Sequence, residues 1–139
     1  MTTWGYILDM PGRPSVADQK RGLSALGVDV GKTGTCWTDR IAAAKRHRSA
    51  GQSQLDERNA LLAAVMTGDV VVACDPRCLG FSGQDVAWFI QQLSDRGVTL
   101  TVNGDLRHIK PGDDAAALAS DAHRLIRNAN VARSRGRSE

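Results

Sequence analysis

The sequence lacks the features that mark a membrane, secreted or metal-binding protein. No apolar run is long enough to span a bilayer, and the first residues do not follow the pattern of a secretory signal, so we expect a cytoplasmic protein without a membrane partner. Cys36, Cys74 and Cys78 are an odd number and cannot all pair, and they have no second ligand pair at zinc spacing. We therefore predict free thiols, no metal site and no cofactor.

Strong charge of one sign is also missing. The net charge of +3 indicates only a mild preference for a polyanionic partner such as nucleic acid. The 139 residues are enough for one domain with one substantial core.

The central part of the chain carries the clearest pattern. Residues 69–74 are a short valine-rich run, which is typical of a strand buried on both faces. After a loop, Ser82 begins a helix with Asp85 as its capping-box partner, and 98–102 is again apolar and β-branched. This strand, helix and strand predict a βαβ unit. Since sites in such sheets lie beyond the carboxyl ends of the strands, the loop at 75–82 is predicted to lie at the functional edge.

The same signals place further elements on both sides of this unit. Ser15 and Ser53 are predicted helix caps, and residues 39–52 are interpreted as a basic loop. The further predicted strands are 3–9 and 35–38, and the helices are 15–26, 53–66 and one from 114 onward, with a loop at 106–114 before it.

These elements predict an α/β fold, a three-layer sandwich in which helices flank a four-stranded, mainly parallel sheet. The α/β domain is assigned to residues 1–114. A C-terminal helix and basic tail follow at 115–139.

The last helix combines an apolar side with many arginines. Its apolar side has no evident place in the sheet core and predicts a homodimer through Leu118, Leu125 and Ile126. Basic side chains suit DNA phosphates, although a solvated, fraying tail would explain the terminal ones equally well. The predicted DNA contacts are Arg124, Arg127, Arg133, Arg135 and Arg137, with Lys45, Arg46 and Arg48 from the basic loop.

Several stretches match one family in order and spacing. They are GDVVVACDPRCLG followed by a helix ending LSDRGV, the pair Gly5-Tyr6, then Leu23, Gly27 and Val28, and the run Trp37-Thr38-Asp39. In these the chain resembles, over nearly its whole length, the catalytic domain of the serine recombinases, the resolvase and invertase family. The resemblance implies a resolvase-like fold and DNA as the partner. We expect a degenerate, truncated member without the helix-turn-helix domain of full recombinases.

The chain departs from that family where its chemistry resides. The family's first strand ends in Tyr-x-Arg-x-Ser, with serine as the nucleophile and arginine as a phosphate ligand. Without a gap, Leu8 and Met10 occupy those places after Tyr6. A thioether cannot attack a phosphate, and leucine cannot donate to one. The arginine expected after Leu79-Gly80 is Phe81.

A rival alignment keeps an active site. Arg13 to Gln19 resembles the family's Arg-x-Ser-Thr-x-x-Gln, which would make Ser15 the nucleophile and Arg13 its phosphate ligand. Asp75 and Arg77 would stand for the family's Asp-Arg pair if Pro76 is an insertion. Ser15 is equally explained as a helix cap, and we favour that interpretation.

Three hypotheses follow from these residues. The favoured one is a catalytically inactive, recombinase-like protein that binds DNA, or another DNA-binding protein, in a regulatory role. The second is a minimal active serine recombinase that uses Ser15 for strand exchange. The third is a dimerisation or interaction module that does not bind DNA.

Overall fold

The chain folds around one mixed β-sheet. A computed structural model describes residues 2–31, 35–41, 55–103 and 107–137, with side chains described as far as residue 129. The strands are β1 (Thr3–Asp9), β2 (Cys36–Arg40), β3 (Val70–Ala73), β4 (Thr99–Val102) and β5 (Arg107–Ile109). The helices are α1 (Val16–Ala25), α2 (Asp56–Ala64), α3 (Gly83–Asp95) and α4 (Ala116–Arg137), and a 3₁₀ turn spans Pro76–Cys78.

The sheet has the order β2-β1-β3-β4-β5, in which the first four strands are parallel and β5 is antiparallel to β4. The predicted α/β sandwich with a mainly parallel sheet is therefore confirmed. The fifth strand was not predicted, since residues 107–109 had been assigned to a loop. Among the described residues, none of the helices has the length and hydrophobicity that a bilayer-spanning segment needs.

The two faces of the sheet pack against different helices. Successive side chains of a strand point to opposite faces, and β1 follows this rule. Tyr6 and Leu8 lie in the larger cluster with the apolar side chains of α2 and α3. Ile7 lies in the smaller cluster with Leu23 of α1. Both faces are covered, which explains why the strand residues are almost continuously apolar.

Helices α1 and α3 begin at the predicted serines. Ser15 Oγ accepts a hydrogen bond from Asp18 N at 3.1 Å, and Ser82 Oγ accepts one from Asp85 N at 3.1 Å. The capping-box role predicted for the Asp85 carboxylate is wrong, because that carboxylate bonds Arg58 and the backbone N–H of Phe81.

Helix α2 is capped from a distance. Leu55 precedes it and offers no side-chain cap. Instead Asp39 of β2 accepts hydrogen bonds from the backbone N–H groups of Glu57 and Arg58 at 2.9 and 2.8 Å, and from Tyr6 Oη at 2.8 Å. Burial, and then the Asp39 carboxylate, raise the pKa of Tyr6 well above its ordinary value, so its hydroxyl stays a donor. The predicted cap, Ser53, lies outside the described residues.

The predicted basic loop at 39–52 begins too early. Asp39 and Arg40 are the last residues of β2, and Ile41 after them is buried. Asp39 was assigned to the loop because its side chain is polar. In the structure that side chain is buried, with hydrogen bonds to Tyr6 and α2 that the local sequence does not reveal. Residues 42–54, with Lys45, Arg46 and Arg48, lie outside the described part of the chain.

A second buried carboxylate fastens the amino edge of the sheet. Asp69 accepts hydrogen bonds from Thr2 N, Trp4 Nε1 and Met66 N, all within 3.0 Å. Burial acts to raise the pKa of Asp69, but these hydrogen bonds outweigh it and hold that pKa below the ordinary value of 3.8. The carboxylate is therefore ionised at neutral pH and ties the chain before β1 to the turn before β3.

Helix α4 packs along α3 and across the 3₁₀ turn. Leu118 and Ile126 are 1% and 7% exposed, and Ala122 between them is fully buried. The premise of the dimer prediction, that this stripe has no place within the chain, is therefore wrong for Leu118 and Ile126. Leu125 is half-buried, and a homodimer stays a prediction.

This packing predicts unequal effects for two leucines of one helix. Leu118→Ala is expected to lower the free energy of unfolding by about 2–5 kcal/mol, because it opens a cavity in the main core. Leu125→Ala, which removes the same atoms from a partly exposed position, is expected to cost less, at most about half as much. Leucine and alanine are both good helix formers, so urea denaturation of the two variants compares packing alone. Equal effects would contradict the docking of α4.

Candidate functional site

The carboxyl ends of β1 and β3 form the candidate site. The two strands are adjacent and parallel, with Tyr6 opposite Ala73, so their following loops meet at one edge of the sheet. This is the edge where open α/β sheets bind ligands. The β1 loop contributes Met10 to Pro14, and the β3 loop contributes Asp75 to Gly80.

Met10 follows the last residue of β1 directly, and the residue is only 7% exposed. Leu8, two residues earlier, is fully buried. Both belong to the larger core cluster together with Tyr6. In the gapless alignment, the positions of the family's nucleophile and phosphate ligand therefore both hold apolar side chains that face the protein core.

Gln19 of α1 closes the end of β1 with its side chain. Its Oε1 accepts from Leu8 N at 3.1 Å, and its Nε2 donates to the carbonyls of Leu8 and Pro14, both at 2.9 Å. The side chain is completely buried. A glutamine here thus satisfies backbone groups near the end of β1 and in the loop after it, which accounts for it without any catalytic role.

Ser15 lies at the start of α1 and is exposed. Its Oγ accepts from Asp18 N with an extended backbone at the capping position (φ −60°, ψ 156°). The interpretation of Ser15 as a helix cap is confirmed. Capping uses the oxygen as an acceptor, so it leaves the hydroxyl proton available.

Arg13 joins the two loops of the edge. Its guanidinium donates to the carbonyls of Arg77 at 2.6 Å, Gly80 at 2.8 Å and Pro11 at 3.3 Å. Carbonyls in three directions fix the plane of the group. Arg13 therefore holds the β1 loop against the β3 loop, in addition to any role toward a ligand.

Asp75 and Arg77 form a local pair on the same edge. Asp75 caps the 3₁₀ turn by accepting from Arg77 N at 2.9 Å, and both its oxygens lie 3.2 Å from Arg77 Nε. Arg77 also donates to the carbonyl of Gly12 at 3.3 Å. The side chains are 28% and 20% exposed for Arg77 and Asp75, so the pair borders solvent. The structure thus brings together Arg13, Asp75 and Arg77, as the rival alignment requires.

The cysteines at this edge are poor nucleophiles. Cys78 is fully buried, and burial, then Asp75, raise its pKa far above the ordinary value. Burial and Asp75 also raise the pKa of Cys74, and burial raises that of Cys36 on β2. All three thiols are free. Thiolate chemistry is therefore disfavoured here.

Two of the predicted DNA contacts, Arg124 and Arg127, have side chains that the structure describes, and both lie on α4. Arg124 of α4 has a side chain that is 65% exposed and lies 3.3 Å from Asp121, and Arg127 is exposed one turn further on. Asp121 also pairs with Arg107 of β5. The backbone of α4 continues through Arg133, Arg135 and Arg137, whose side chains lie outside the described ones.

The sequence interpretation missed the buried ion pair between Arg58 of α2 and Asp85 of α3. A signal was present. Arg58 stands three residues after Leu55 and three before Leu61, so helical spacing puts it on the apolar side of α2. A charged residue at such a position indicates a buried partner.

No protein-family model matches the chain, and no curated protein is similar enough to count as a relative.

Proposed function

We propose that the protein is a catalytically inactive, serine-recombinase-like α/β protein that binds DNA through backbone phosphates and acts in a regulatory role. The observation that carries the proposal is Met10. It stands at the carboxyl end of β1, where the resembling family has its nucleophile, and it is packed into the core. No proton can be removed from a thioether, so this position cannot form a phosphoester bond.

The surrounding polar groups support the same proposal. Gln19 satisfies backbone groups, Ser15 caps α1, and Arg13 bridges two loops. Each therefore has a structural task that explains its place without catalysis. We therefore assign DNA binding to the exposed arginines of α4 and not to these three residues.

The exposed arginines of α4 support DNA as the partner. Arg124 and Arg127 lie on the solvent side of a helix whose other side is buried against α3. Arginine binds phosphate through two parallel hydrogen bonds, and contacts of that kind depend little on base sequence. A recombinase that uses Ser15 remains the second candidate, favoured by the exposed hydroxyl and by Arg13, Asp75 and Arg77 nearby on the edge.

Incubation with supercoiled DNA separates the two candidates. We expect no covalent protein–DNA adduct on a denaturing gel and no strand exchange, because Met10 and Leu8 occupy the nucleophile and phosphate-ligand places and Ser15 serves as a helix cap. Ser15→Ala should then behave as wild type in DNA binding, as should Ser24→Ala, which changes an exposed serine of the same helix and serves as the control. An adduct that disappears in Ser15→Ala but persists in Ser24→Ala would overturn the inactive assignment.

A further inference from the structure

Two charged side chains meet inside the core between α2 and α3. Arg58 and Asp85 have side chains that are 0% and 1% exposed. They form two parallel hydrogen bonds, Nη1 to Oδ2 at 2.7 Å and Nη2 to Oδ1 at 2.8 Å. This geometry fixes both groups in one plane.

Stability alone does not account for this pair. Removing two charges from water costs much of what their attraction returns, and apolar side chains of similar volume often serve equally well. Arg58 Nε has no hydrogen-bond partner among the described residues. The guanidinium carbon lies 5.2 and 5.0 Å from the ring centroids of Trp88 and Phe89, which offsets only part of that cost. The property that apolar side chains would not reproduce is therefore the set of directed hydrogen bonds that the pair makes.

Those bonds reach the backbone of the β3 loop. Arg58 Nη1 also donates to the carbonyl of Leu79 at 2.9 Å, and Asp85 Oδ2 accepts from Phe81 N at 3.1 Å. Gly80 lies between these two contacts. A Cβ added there would overlap the Asp85 carboxylate and lie 3.1 Å from Arg58 Nη1. The pair thus clamps the backbone from Leu79 to Phe81.

Helix α4 lies on the segments that flank this clamp. It crosses the 3₁₀ turn just before Leu79. Just after Phe81, a Cβ added to Gly83 would lie only 2.7 Å from the Cβ of His123. The Gly83 backbone and His123 are therefore in close contact, so a shift of the loop backbone would also shift α4.

We propose that Arg58 and Asp85 are positioning residues for α4. They hold the Leu79–Phe81 backbone and its flanking segments, on which this arginine-bearing helix packs. The pair acts through the Leu79–Phe81 backbone and touches neither DNA nor the exposed arginines. The proposal rests on the proposed function only for its DNA readout.

The test replaces the pair by apolar side chains of similar size in a double variant, Arg58→Met with Asp85→Leu. We expect the variant to fold, because apolar side chains of similar volume keep the core filled. Amide hydrogen exchange in residues 116–129 should nevertheless become about tenfold faster or more, because two hydrogen bonds to the loop backbone are gone. Affinity for a DNA duplex at low salt should fall several-fold.

Arg96→Met is the matched control. Arg96 links the far ends of the same two helices by donating to the carbonyl of Leu62 at 3.1 Å, and it does not touch the clamp. We expect wild-type exchange in residues 116–129 of this variant. Wild-type exchange in a folded double variant would overturn the proposal. A double variant that does not fold would overturn it too, because the pair would then serve the core as a whole. Failure of wild type to bind DNA would count against the proposed function alone, since hydrogen exchange needs no DNA.

Discussion

Raising the salt concentration from about 50 to about 200 mM is expected to weaken the binding of the full chain to duplex DNA roughly 500-fold. The reason is counterion release. If five arginines of α4 neutralise about five phosphates, the slope of log affinity against log salt is about −4.5. The five are Arg124, Arg127, Arg133, Arg135 and Arg137.

A chain that ends at Asn130 keeps only Arg124 and Arg127 of this set. Its slope should fall to about −1.8, which makes the same salt step roughly twelvefold. The double variant Arg124→Ala with Arg127→Ala should also flatten the slope. The control, Lys20→Ala with Arg21→Ala, removes equal charge from exposed positions of α1, on the opposite face of the sheet. Fluorescence anisotropy over a salt series measures all four proteins.

Two outcomes would contradict this prediction. Equal slopes for the full and shortened chains would mean that the residues after Asn130 do not contact DNA. Absence of binding at low salt would favour the third hypothesis, an interaction module that does not bind DNA.

The substitution Asp85→Ala is expected to cause the largest loss of stability, about 3–5 kcal/mol, because it leaves the guanidinium of Arg58 buried without its counter-charge. Domains of this kind have a total stability of about 5–15 kcal/mol, so the variant should be partly unfolded at moderate temperature. Ser82→Ala, which removes one capping bond from the same helix turn, should cost only about 1 kcal/mol. Urea denaturation followed by circular dichroism ranks the two variants. A smaller loss for Asp85→Ala than for Ser82→Ala would contradict the importance of the pair.

The elements that the sequence predicted well carry their signals locally. β1 was predicted with its observed bounds, and α1 and α3 begin at serines whose side chains cap them. β5 has no such signal. Its three residues are a strand only because they pair with β4, with His108 opposite Thr101. Three residues are too few to show the alternation by which a strand is recognised in a sequence.

The candidate site divides in the same way. Its location at the carboxyl edge followed from the order of strands and helices. The contacts that shape it depend on residues far apart in sequence, as when Arg13 reaches the carbonyl of Gly80 or Asp39 caps α2. The role of Arg58 was detectable from its spacing among leucines, but its partner was not, because Asp85 had an adequate local explanation as a capping residue.

The short strand β5 reverses the polarity of the chain before the last helix. The four parallel strands run toward the carboxyl edge, and α3 returns the chain to the opposite edge before β4. β5 is antiparallel and makes that return in place of a helix. α4 therefore runs along α3 toward the carboxyl edge of the sheet. His123 packs against Gly83, and the Cβ of Ala129 lies 3.2 Å from the position that a Cβ on Gly12 would take. The negative end of its helix dipole consequently points beyond the same edge as the loops.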